Sequence, residues 1–98
     1  MSKFNLSIII PVLNESSNIQ KLTYKIKKQL SSINFEIIFV DDNSLDKSKF
    51  ILKNLKKKFK FFKPIFRFKK RDLTQSCFDG IRKSKYENIL IMDGDLQH

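Results

Sequence analysis

Acidic residues in this sequence gather where apolar runs end. Asp93-Gly94-Asp95 follows "NILIM" with Gln97 two residues on, Asp41-Asp42 follows "FEIIFV", and Glu15 follows "LSIIIPVLN". In an extended segment, residues i and i+2 project to the same side, so Asp93 and Asp95 can face one ligand. Gly94 between them removes the Cβ that would keep another backbone at a distance. Hard divalent cations such as Mg²⁺ or Mn²⁺ take oxygen ligands, commonly one or two carboxylates plus substrate phosphates. Gln97 could add a neutral oxygen at the same period. The adjacent pair Asp41-Asp42 is suited to accepting hydrogen bonds from a nucleobase or ribose, with the capping of the following helix left to Ser44 or Asp46. D-x-D is also a common turn. What favours a site is its position after an apolar run, opposite a second acid pair.

The elements that must position these acids follow from periodicity. "LSIIIPV" (6–12) and "FEIIFV" (35–40) are continuous, β-rich apolar runs of the kind found in strands buried on both faces. "PIFRF" (64–68) and "NILIM" (88–92) make a third and a fourth strand. Ile19, Leu22, Ile26 and Leu30 form one stripe of an amphipathic helix whose other face carries Lys21, Lys25, Lys27 and Lys28. A second helix is predicted over roughly 46–58, with Ile51, Leu52, Leu55 and Phe59 inward. A third is predicted with Thr74 as its cap and Leu73, Cys77 and Ile81 as its stripe. The order β-α-β-α-β-α-β with short connections specifies a mostly parallel sheet covered by helices. In such sheets ligands bind beyond the carboxyl ends of the strands, which is where the acids lie.

Composition narrows the options. Ninety-eight residues suffice for one small domain, and the single cysteine, Cys77, precludes an internal disulfide. The first apolar run is broken by Pro11 and is far shorter than the ~20 residues of a membrane helix. The reading is therefore of a cytoplasmic protein, at most lying against the cytoplasmic face of a membrane. No glycine follows the first strand, so neither a glycine-rich dinucleotide turn nor a GxxxxGK[ST] phosphate loop is present. A formal charge of +10 points to an anionic partner. The stretch "LKKKFKFFKPIFRFKK" suits contact with a membrane surface, although Phe62, Phe66 and Phe68 could equally serve the core. Two rival readings are a basic module for nucleic acid or membrane, and a phosphorelay receiver domain with Mg²⁺ between Asp41-Asp42 and Asp93.

Taken together, "SIIIPVLNESSNI", "FEIIFVDDNSLDKS" and "ILIMDGDLQH" resemble the family 2 glycosyltransferases of GT-A fold. Within them the likeness is to polyprenyl-phosphate sugar transferases of the dolichol-phosphate mannosyltransferase type. The resemblance implies that residues 1–98 are the N-terminal, nucleotide-sugar-binding part of one longer transferase domain, incomplete at its C-terminus. It implies that Pro11, Asn14, Glu15 and Asp42 line the nucleotide pocket with Asp41 in support. Asp93 would face the nucleotide-sugar, and Asp95 and Gln97 would hold Mg²⁺ or Mn²⁺ on its diphosphate, making Asp93 and Asp95 the catalytic pair. The implied donor is a nucleoside-diphosphate sugar (GDP-mannose or a UDP-hexose), the acceptor a polyprenyl phosphate such as dolichyl or undecaprenyl phosphate, and the outcome inversion at the anomeric carbon. Three positions depart from the family pattern: Leu13 where an aromatic residue is common, and Asp72 and Tyr86 where glycine is common.

Overall fold

A computed structural model describes residues 4–94. Strands and helices alternate throughout: β1 (Asn5–Val12), α1 (Ser16–Gln29), β2 (Asn34–Asp42), α2 (Ser48–Lys58), β3 (Phe62–Arg67), α3 (Leu73–Lys83) and β4 (Ile89–Ile91). The four strands form one sheet in the order β3-β2-β1-β4, and every pairing is parallel. This is the α/β, Rossmann-like arrangement that the alternation predicts.

The central strands β1 and β2 carry the longest β-branched runs because they are covered on both faces. Ile8, Ile9 and Ile10 and the run Ile37–Val40 are fully buried. One face packs Ile8, Ile10, Val12, Ile37 and Phe39 against Ile19, Leu22 and Ile26 of α1 and Leu52 and Leu55 of α2. There the Phe39 ring stacks on Phe62 at 5.1 Å between centroids. The opposite face packs Ile9, Ile38 and Val40 against Ile65 and Ile81.

Three expectations need correcting. Asp72, not Thr74, caps α3, its carboxylate accepting a hydrogen bond from the Gln75 amide at 3.0 Å. The fully buried residues of α3 are Ser76 and Gly80; of the predicted stripe, Ile81 packs on the sheet and Cys77 is half-buried, but Leu73 at the helix start is 67% exposed. Gly80 decides this orientation: a Cβ there would lie 2.5 Å from Ile9 Cγ2 and 3.2 Å from Val40 Cγ2. The helix therefore approaches the sheet along its smallest residues. Finally, β3 runs Phe62–Arg67, so Phe68 falls beyond it, 71% exposed beneath the Lys49 ammonium group, and not in the core.

A buried carboxylate ties the far end of the sheet together. Glu36 accepts hydrogen bonds from Ser7 Oγ at 2.6 Å, from Lys63 Nζ at 2.7 Å and from the Lys85 amide. Ser7 Oγ in turn accepts from the Tyr86 amide at 3.1 Å, and the Ser7 amide donates to Asn88 O at 2.8 Å. These bonds set the register in which β4 meets β1, with Ser7 opposite Ile89.

The chain builds outward from β1 to β3, then returns past β1 to place β4 on its other side. Between β1 and β4 the strand order reverses, and a crevice opens beyond their carboxyl ends. Such a switch point is where open α/β sheets bind ligands.

Candidate functional site

Two loops frame one side of the crevice. Asn14, which follows β1 closely, takes a positive φ of 54°, and Asn43, directly after β2, one of 66°. Asparagine tolerates this region better than most residues. The Asn14 side-chain oxygen accepts hydrogen bonds from the Leu45 amide at 2.8 Å and the Asp46 amide at 3.3 Å, while its own amide donates to Ser44 Oγ at 2.9 Å. The Glu15 amide donates to Ser48 Oγ, and the Ser16 amide to Asp46 Oδ2, both at 3.2 Å. Asn14 thus stitches the β1–α1 loop to the β2–α2 loop. Burial raises and the Ser48 and Ser16 hydrogen bonds lower the Asp46 carboxyl, leaving it below its ordinary value.

The acid pair divides by strand alternation. Asp41 turns toward the α1–α2 side, wholly buried, one oxygen accepting from the Ser44 amide at 3.1 Å and the other without a hydrogen-bond partner. Asp42 turns toward α3. One of its oxygens pairs with the Arg67 guanidinium and the other accepts from the Asp72 amide at 2.8 Å. Arg67 Nε also donates to Asp79 Oδ2 at 3.0 Å, and Asp79 further binds Arg82 and, at 3.0 Å, Gln75 Nε2. The Gln75 bond and the two guanidiniums hold the Asp79 carboxyl below its ordinary value against the opposing effect of burial. Arg71 donates to Asn43 O at 3.3 Å.

Across the crevice, β4 delivers Asp93 and Gly94. The Met92 amide donates to Ile9 O at 2.9 Å, continuing the β4 pairing as far as the aspartate. A Cβ on Gly94 would lie 2.7 Å from Val12 Cγ1 and 3.3 Å from Pro11 O. The glycine after Asp93 is therefore required by close approach to β1.

These pieces enclose a cavity of about 230 Å³ lined by Pro11, Val12, Leu13, Glu15, Asp42, Leu73 and Asp93. A second groove of about 270 Å³, sharing Pro11, Leu73 and Asp93, continues it past Cys77 and Met92. Four of the residues singled out from sequence, Pro11, Glu15, Asp42 and Asp93, therefore meet at one cavity. Asn14 and Asp41 do not line it; they brace the loops beside it. Asp95 and Gln97 lie outside the described residues. Arg67 and Leu73 were not anticipated. The available signal for Arg67 was its place at the end of a third strand, the same rim on which the second strand presents its acids.

The cavity offers three carboxylates, from Glu15, Asp42 and Asp93, with an apolar wall of Pro11, Val12, Leu13 and Leu73. Among the described residues, no three His, Cys, Asp or Glu side chains form a ready metal cluster. Among the described residues, the side-chain donors lining the first cavity are carboxylate oxygens, which suit a hard cation.

The model of the family "Glycosyl transferase family 2" matches residues 7–98. The chain belongs to glycosyltransferase family 2. It is 34% identical over 93 residues to the dolichol-phosphate mannosyltransferase of Pyrococcus furiosus, covering 95% of this chain and 26% of that relative. Against the Saccharomyces cerevisiae enzyme of the same name it is 34% identical over 95 residues, with coverage of 94% and 36%. The corresponding figures for the Mycosarcoma maydis enzyme are 32% over 98 residues, 94% and 33%. The chain thus spans a quarter to a little over a third of the length of these relatives. Among solved structures, it superposes on the Pyrobaculum calidifontis mannosyltransferase PcManGT, which is in complex with GDP-Man and Mn²⁺. The TM-score is 0.78 at 19% identity, covering 92% of this chain and 27% of that one. Staphylococcus aureus TarS 1–349 gives a TM-score of 0.75 at 22% identity, with coverage of 94% and 28%. The fold is the α/β, Rossmann-like arrangement of these GT-A neighbours. Family membership removes the receiver-domain reading, as does the sheet itself: receivers place β1 between β2 and β3, whereas here β1 lies between β2 and β4.

Proposed function

We propose that this family 2 chain supplies the donor-binding part of an enzyme that transfers a hexose, mannose in the first instance, from a nucleoside-diphosphate sugar to a polyprenyl phosphate with inversion. The observation that carries the reading is the meeting of Pro11, Glu15, Asp42 and Asp93 at one cavity on the β1–β4 switch point. The names of the curated relatives and the GDP-Man and Mn²⁺ of the structural neighbour support the choice of donor, metal and acceptor.

In this reading the nucleoside lies against Pro11 and Leu73, with Glu15 and Asp42 accepting its hydrogen bonds. Arg67 and the Asp72 amide hold Asp42 in one rotamer, so that it meets the donor already oriented. Asp93 faces the sugar diphosphate, and Asp95 and Gln97 would hold Mg²⁺ or Mn²⁺. A bound cation would supply charge neutralisation of the departing nucleoside diphosphate. A lipid-phosphate acceptor brings an oxygen that is already anionic, so no residue of this chain needs to act as general base.

Because the chain spans only a quarter to a little over a third of the length of its relatives, residues 1–98 alone should show no turnover. The test therefore incubates a full-length family 2 protein carrying these residues with labelled GDP-mannose or UDP-hexose, Mn²⁺ and polyprenyl phosphate. Label recovered in a mild-acid-labile glycolipid is the expected result. Transfer to a hydroxyl acceptor alone would replace the acceptor assignment, and no transfer from any nucleoside-diphosphate sugar would overturn the reading.

A further inference from the structure

The net charge of this chain is concentrated on one layer. Helices α1 and α2 pack side by side over one face of the sheet and hold nine lysines with no acidic residue: Lys21, Lys25, Lys27 and Lys28, then Lys49, Lys53, Lys56, Lys57 and Lys58. The rest of the chain carries eleven basic and ten acidic residues, so almost the whole +10 belongs to this layer. A general lysine bias would have charged every face alike. It did not do so on α3, where Asp79 accompanies Arg82 and Lys83.

Eight of the nine lysines are exposed. Apolar surface lies among them: Phe50 is 65% and Tyr24 36% exposed, and a groove of about 290 Å³ between the helices is floored by Ile51 and Leu55 beside Lys58. Lysines around an exposed phenylalanine match an anionic bilayer surface, where ammonium groups meet headgroups and the ring enters the interface. They match single-stranded nucleic acid less well, since that is commonly held on successive aromatic stacking platforms.

We propose that the outer face of α1 and α2 docks on an anionic lipid surface. The choice of a lipid partner rests on the polyprenyl-phosphate reading above. Both helices begin at the rim and run back along the sheet, so this face lies beside the crevice and not across its mouth. Docked sideways, the chain leaves the donor site open along the membrane plane, where a lipid-borne phosphate would arrive.

Vesicle co-sedimentation tests this, using phosphatidylcholine alone and phosphatidylcholine mixed with phosphatidylglycerol, at low and high salt. The chain should pellet with the anionic vesicles at low salt only. A Lys21→Glu/Lys25→Glu/Lys56→Glu/Lys57→Glu variant should lose about tenfold or more of that partition, and Phe50→Ser should weaken it at unchanged charge. The same four lysines changed to arginine should restore binding, which separates loss of charge from misfolding. Equal binding to neutral vesicles, no binding to anionic ones, or tighter binding to random duplex DNA would each overturn the proposal. GDP binding measured on the same samples keeps the two readings apart. Intact GDP binding without vesicle binding sinks the docking face alone, and the reverse sinks the donor site alone.

Discussion

At the scale of single residues, the least replaceable side chain outside the cavity is Arg67. It is only 7% exposed and is the shared partner of two buried or half-buried carboxylates, Asp42 and Asp79. Removing one member of a buried ion pair leaves uncompensated charge, which costs about 3–5 kcal/mol. Arg67→Met should therefore lower stability to urea by that order, whereas Arg82→Met, whose guanidinium is 67% exposed, should change it by less than about 1 kcal/mol. Equal effects of the two would contradict the assignment. Glu36 gives a pH signature. Burial raises its pKa, but the bonds from Lys63, Ser7 and Lys85 outweigh that and hold it below the ordinary value. A carboxyl depressed in the folded state stabilises above its unfolded pKa of about 4.3, and that contribution is lost as pH falls through the depressed value. Acid unfolding of the Glu36→Gln variant should accordingly show a shallower dependence on pH below about 4.3. An unchanged slope would remove Glu36 from the list of groups that link folding to acid.

At the scale of elements, two glycines act through space and neither through φ. Gly80→Ala brings a Cβ against Ile9 and Val40, both fully buried, and should destabilise by about 1–3 kcal/mol, less the ~1 kcal/mol that alanine returns to a helix. Gly94→Ala should behave differently, because the segment it displaces from Val12 and Pro11 ends at the rim. It should weaken nucleotide binding while leaving the urea midpoint nearly unchanged, and comparison of the two variants by both measurements checks this. Strand and helix identity were legible because each element carries the period of its burial. The orientation of α3 was legible only in part: Ile81 of its apolar stripe does pack on the sheet, but the close approach at Gly80 centres the contact on Ser76 and Gly80 and turns Leu73 outward. Leu73 is left at the cavity wall, where its apolar surface has a use. The acids of the rim were legible from their place at strand ends. The partner of Asp42 was not, since no spacing in sequence announces that the ends of β2 and β3 lie opposite each other. The register Asp42 opposite Arg67 exists only in the sheet.

At the scale of the whole molecule, charge and function divide the protein into a basic helical layer and an acidic rim. Nine lysines without counter-charge on two adjacent helices repel one another, and salt screens such repulsion. The thermal midpoint should rise with sodium chloride, and rise less in the four-lysine charge-reversal variant; a midpoint that falls with salt would mean the layer is not self-repelling. The β4 edge is also distinctive: Ile89, Leu90 and Ile91 are 39%, 45% and 47% exposed, an apolar edge of the kind that pairs with further strands. The central claim is that the crevice between β1 and β4 takes a nucleoside diphosphate through a divalent cation. Calorimetric titration of GDP into the chain, with Mn²⁺ and with EDTA, addresses it most directly. The account predicts binding in Mn²⁺ that is lost in EDTA and weakened at least about tenfold, or ~1.4 kcal/mol, by Asp95→Asn at unchanged circular dichroism. Binding that is indifferent to EDTA and to Asp95→Asn would contradict it.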